Sequence, residues 1–88
     1  MMLCEIVFSM TETSSSPIEQ YIIDSARKKR IEKGWSQKDL AFEMDVSIGF
    51  IGHVENPNLR AKYNLNHVNI LAKVFGCSPK DFLPDTPL

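Results

Sequence analysis

The sequence has little of what a catalytic centre, a secreted scaffold or a membrane anchor requires. Its 88 residues hold two cysteines, Cys4 and Cys77, at opposite ends of the chain and outside any CxxC pair. That is no disulfide framework of the kind small secreted domains use, so a reducing cytoplasm is the better fit. The two histidines, His53 and His67, stand at no zinc-ligand spacing from either cysteine, and no structural metal or cofactor is expected. No Gly-rich phosphate loop is present, and the serines Ser14–Ser16 lie in a polar stretch without a neighbouring base, so an enzyme is not expected. Long hydrophobic runs are missing too. The apolar stretch Met1–Met10 is interrupted by Glu5 and preceded by no Lys or Arg, which excludes a good signal peptide, and it is too short to span a membrane.

What is present is ordinary for one soluble globular domain: 43% hydrophobic residues, 24% charged and a net charge of −1. The charge is uneven. Residues 17–83 carry ten cations against eight carboxylates, and six of the cations fall between Arg27 and Lys38. A near-neutral chain can therefore still present a basic patch, and patch geometry decides phosphate binding. Composition divides the chain into a tail (1–16), a domain (17–84) and a short C-terminal tail (85–88). The first tail reads as disordered or loosely docked, or as a short strand over Leu3–Phe8 that pairs with its copy or packs on the domain. A translation start at Met10 would also account for it.

From Pro17 the pattern is helical. Pro17 suits a first turn, and Ile18, Ile22 and Ala26 follow at i, i+4 spacing with Tyr21 beside them, up to a stop at Gly34. Three later starts repeat one device, a serine cap flanked by an apolar pair: Ser36 between Trp35 and Leu40, Ser47 between Val46 and Ile51, Ser78 between Cys77 and Phe82. Asn64 caps a fourth segment, whose stripe Leu65, Val68, Leu71, Ala72 and Phe75 closes at Gly76. The expectation is an all-α domain of five helices, about 17–33, 37–44, 48–55, 65–75 and 79–83, with no strand after residue 16.

Between Ser36 and Glu55 two short helices are joined by only Asp45-Val46-Ser47. Small Ala41 lets them cross closely at the roughly 90–120° of a helix-turn-helix, and Asp45 is among the few residues besides glycine that tolerate the left-handed turn position. Here the chain resembles the Cro/CI-type (xenobiotic-response-element-type) helix-turn-helix regulators. The resemblance rests on Arg30-x₃-Gly34-Trp35-Ser36-Gln37-x₂-Leu40-Ala41 and on Val46-Ser47-x₃-Ile51-x₂-Val54-Glu55-Asn56. It extends to Leu65-x₅-Leu71-Ala72-x₂-Phe75-Gly76-Cys77-Ser78-x₂-Asp81-Phe82-Leu83. It implies a compact five-helix, lambda-repressor-like DNA-binding domain acting as a small transcriptional regulator on double-stranded DNA.

The resemblance also implies roles. Arg30 and Glu55 would form an internal ion pair. Gln37, Lys38, Ser47, Asn56, Arg60 and Lys62 would touch phosphates flanking one groove, where a helix N-terminus adds free N–H groups. Helix 48–55 would enter the major groove with Ile48, Gly49, Gly52 and His53 as its base-reading face. That face is unusual: it has no Arg, Lys, Asn or Gln before Asn56, and its two glycines each cost about 1 kcal/mol against alanine. Phe50 would pack under the 56–63 connection or, if exposed, make a contact of its own. A small module suggests a homodimer on a pseudo-palindrome. The rival is a helix-turn-helix used to bind a protein partner, as in an antitoxin-like or accessory regulator.

Overall fold

A helix leaves its first backbone N–H groups open, and each helix among the described residues begins on a side chain that takes one of them. The computed structural model describes residues 15–88. It contains α1 (Pro17–Glu32), α2 (Gln37–Met44), α3 (Ile48–Val54), α4 (Leu65–Phe75) and a closing 3-10 turn (Pro79–Phe82). Ser16, Ser36, Ser47, Asn64 and Ser78 are the caps. Four of them form reciprocal capping boxes, in which Glu19, Asp39, His67 and Asp81 accept a bond from the cap's own N–H. In α3 the corresponding position is Phe50, which has no acceptor to return. The expectations for residues 1–14 lie outside the described residues.

Four α-helices are present among the described residues, not five. The last expected helix, 79–83, is a single 3-10 turn ending at Leu83, which is extended at φ −115°, ψ 149°. Pro84 follows, and the residue before a proline is driven out of the α region. At the end of α2, Asp45 takes the left-handed conformation (φ 59°, ψ 45°), as the sequence predicts.

The core is assembled from every element. Leu40 of α2, Ile51 of α3, Leu71 of α4 and Phe82 of the closing turn are its largest fully buried side chains, joined by Ile22, Ile23 and Ala26 of α1. Ala41 is buried where α2 and α3 cross. Two expected apolar stripes are narrower than the sequence suggests. Ile18 and Tyr21 are exposed, so α1 buries Ile22, Ile23, Ala26 and Arg30 instead. Leu65, the first residue of α4, is 80% exposed. Trp35 is packed against the core, with its ring stacked on Phe75 at 5.4 Å and the Lys33 ammonium 5.2 Å from its centroid. No helix among the described residues is long and apolar enough to cross a membrane.

Candidate nucleic-acid interface

The turn between α2 and α3 is closed by its own backbone. Asp45 donates to the Phe42 carbonyl at 3.2 Å and Val46 to the Ala41 carbonyl at 3.0 Å. Ser47 Oγ then accepts from the Phe50 N–H at 3.0 Å and starts α3. Because α3 turns Ile51 and Val54 into the core, Ile48, Gly49 and His53 face outward, Ile48 being 52% exposed. Gly52 is different. It is half-buried beneath Gln37, and a Cβ there would meet Gln37 Oε1 at 3.5 Å. Of the four expected base-reading residues, three are thus free of the fold and one rests against α2. Phe50 packs inward, its ring 4.9 Å from His67 and 6.0 Å from Tyr63, beneath the connection that links α3 to α4.

A 3.5 Å contact is ordinary van der Waals distance, so the fold itself does not require glycine at position 52. Gly52→Ala is expected to raise the stability of the free domain by about 0.5–1 kcal/mol, read as a higher urea midpoint at unchanged slope. A lower midpoint would show that Gln37 cannot give way.

The end of α3 is tied to α1 and to the start of α2 through one carboxylate. Arg30 donates from Nε to Glu55 Oε2 at 3.0 Å and from Nη2 to Oε1 at 2.9 Å, and its Nη1 holds the Trp35 carbonyl at 2.7 Å. Glu55 Oε1 also accepts from Gln37 Nε2 at 3.0 Å, and Arg27 Nε lies 3.9 Å away. The Arg30 and Glu55 side chains are 11% and 3% exposed. This is a two-point, nearly dry ion pair, a geometry that fixes orientation as well as charge. Gln37, expected to point toward phosphate, instead rests on Glu55.

The other expected phosphate contacts divide in the same way. Lys38, Ser47, Asn56 and Arg60 are exposed, and Asn56 Oδ1 accepts the Asn58 N–H at 2.9 Å, shaping the start of the connection. Lys62 is half-buried, its Nζ 3.2 Å from Glu19 Oε1. The Glu19 carboxyl is held below its ordinary range first by the Ser16 backbone N–H and then by Lys62. Sequence spacing carried no signal for the pairing of Gln37 with Glu55 or of Lys62 with Glu19, because each joins residues remote in the chain. Among the described residues no group of three or more His, Cys, Asp or Glu comes together to hold a metal ion.

The helix-turn-helix family profile matches residues 27–82, which spans α2, the turn, α3, α4 and the closing turn. The chain belongs to the helix-turn-helix family, of the Cro/CI (xenobiotic-response-element) type. Among solved structures, this helix-turn-helix chain is similar to a hypothetical transcription factor, NHTF, from Neisseria. The two share 26% identity at a TM-score of 0.65, over 80% of this chain and 83% of that one. No curated protein matches the sequence. Membership of the Cro/CI type makes this a helix-turn-helix protein of the DNA-binding, transcription-regulating class.

Proposed function

We propose that this chain is a transcriptional regulator that binds double-stranded DNA at specific sequences as a homodimer, laying α3 in the major groove. The observation that carries it is the α2–α3 unit itself. Its core face is locked by the Arg30–Glu55 pair, while its N-terminal edge and the outer face of α3 stay open. Lys38, Ser47, Asn56 and Arg60 are exposed around that edge and would hold phosphates. Gln37 and Lys62 join them by exchanging Glu55 and Glu19 for a phosphate oxygen. On α3, Ile48 would meet a thymine methyl and His53 would donate to a guanine acceptor or a phosphate. Gly49 has only Ser47 Oγ near its missing Cβ, at 4.0 Å, which leaves room for DNA to approach the backbone. Two copies would read half-sites about 34 Å apart.

The test is fluorescence anisotropy on random-sequence duplexes, titrated from low to physiological salt. If each protomer of a dimer neutralises phosphates through Lys38, Arg60 and Lys62, log K falls against log salt with a slope of about −5. In a Gln37→Ala/Arg60→Ala/Lys62→Ala triple variant the slope drops to about −2 and affinity at low salt falls at least about tenfold. A second reading, a protein-binding module, is favoured by exposed Ile48 and by Phe42, which stands 82% exposed on the outside of α2. It predicts no duplex binding at low salt by the folded wild-type chain, which would overturn the DNA reading.

A further inference from the structure

The aromatic cluster behind α3 contains a histidine that the proposed contacts do not use. His67 stands at the third position of α4, and its Nδ1 accepts the Asn64 backbone N–H at 3.0 Å while Asn64 Oδ1 accepts the His67 N–H at 2.9 Å. In capping boxes the returning acceptor is ordinarily a Glu or Gln side chain. Here it is an imidazole nitrogen, which accepts only while it carries no proton. The same ring lies 4.9 Å from Phe50 and 6.0 Å from Tyr63. Phe50 is the third residue of α3, two residues from Ile48 in the same first turn and next to Gly49. The start of α4 and the start of the recognition helix therefore meet at one ring.

We infer that His67, acting through Phe50, is a positioning residue for the N-terminal turn of α3, and that its neutral imidazole makes DNA affinity depend on pH. The inference rests on the DNA reading above. Protonating Nδ1 turns the acceptor into a donor that faces another donor, the Asn64 N–H, and the bond is lost. It also places a cation at a helix N-terminus, where the backbone dipoles favour an anion. The Phe50 face, already 4.9 Å away, attracts the cation, so a ring freed from the Asn64 N–H closes on Phe50 and displaces it. That movement shifts the turn that carries Ile48 and Gly49.

The groups packed on the ring leave the proton little competition. Tyr63, from the connection, is the titratable one among them, and its phenol is pushed up by burial and then by the Glu55 carboxylate. Burial alone lowers the His67 value below the ordinary 6.5, with no charged side chain contributing. The sign follows from this lowering. Above about pH 6.5 both the folded and the unfolded chain carry neutral imidazole. As pH falls below that value, the unfolded chain takes up the proton first, so stability declines until the folded chain is protonated as well. His53, exposed on α3, is the second histidine and is common to both proteins compared below.

The experiment compares wild type with His67→Gln, whose amide keeps an acceptor at the capping position but does not titrate. Random-sequence duplex binding is measured at low salt from pH 7.5 down through the titration of the His67 ring, which NMR locates in the wild-type chain. His53 acts equally in both proteins, so it cancels in the ratio of their affinities. That ratio is expected to move at least about threefold against wild type as pH falls, as it does when only a third of the molecules keep a competent α3. Parallel profiles for the two proteins would overturn the inference. A second arm needs no DNA: NMR of the wild-type chain through the titration of the His67 ring. Phe50 ring resonances should shift with the His67 proton, and the Asn64 amide should lose protection from exchange. Resonances and protection unchanged through that titration would overturn the inference equally. If duplexes bind at no pH, the DNA reading fails by itself, and the NMR arm still decides whether His67 moves Phe50.

Discussion

Replacing Glu55 with alanine is expected to destabilise the domain by about 3 kcal/mol, because it strands the Arg30 guanidinium in a nearly dry site. For a domain of this size that lowers the melting temperature by more than about 10 °C. Arg30 keeps one partner, the Trp35 carbonyl at 2.7 Å, which is why the lower end of the range for broken buried pairs is the figure expected. The loss extends beyond the pair. The end of α3 loses its tie to α1, so duplex affinity should fall even at temperatures where the variant remains folded. Arg30→Lys should rescue little of an Arg30→Ala loss, since an ammonium cannot make both bonds to Glu55 and the bond to the Trp35 carbonyl in the same fork geometry. A double variant, Arg30→Met with Glu55→Leu, should recover much of the stability while leaving Gln37 without its acceptor. Thermal and urea unfolding measure all four. A Glu55→Ala loss below about 0.5 kcal/mol would place the pair among surface ion pairs that contribute almost nothing.

The contrast between Ser36 and Leu65 shows how far local pattern reaches. A serine followed three residues later by Asp39, with apolar residues on both sides, is a strong helix start, and the four expected caps, Ser36, Ser47, Asn64 and Ser78, stand where that logic puts them; Ser16, read as part of the tail, is a fifth that the sequence reading missed. Asp45 is legible for the same reason: a three-residue link between helices demands one left-handed residue, and few side chains tolerate that. Leu65 and Ile18 obey the helical period but lie beyond the edge of the core, which periodicity does not locate. The closing turn carried a signal that competed with its cap. Ser78-Pro79 starts a helix, and Pro84 forbids its continuation through Leu83.

The site was less legible than the fold. Arg30 with Glu55 came from the resemblance, and the structure brings the two side chains together. Gln37 and Lys62 were expected to wait for phosphate, and each already has a carboxylate partner. Those partners lie on different elements, so only the packed structure selects them. His67 did carry a local signal, since Asn64-x-x-His67 has capping-box spacing. It was hidden because histidine is not the usual returning acceptor.

The closing turn carries the other large expected effect. Phe82 is fully buried although its element is four residues long, and its ring lies 6.3 Å from Phe75 and 5.5 Å from Lys29 Nζ. A turn so short has no helical stability of its own, so it is held in place by this side chain and by the Ser78–Asp81 cap. Phe82→Ala should therefore cost about 3–5 kcal/mol, the range for an aromatic ring removed from a packed core. A small domain has about 5–10 kcal/mol in all, so the variant stands near half-unfolded under mild denaturant. Phe82→Leu, which keeps most of the volume and loses the ring, should cost under about 1.5 kcal/mol. Urea unfolding separates the two cases. If alanine and leucine cost the same, the ring contacts with Phe75 and Lys29 hold the turn. If alanine costs less than about 1 kcal/mol, the turn is a cover that α1 and α4 do not need, and the core ends at Leu71.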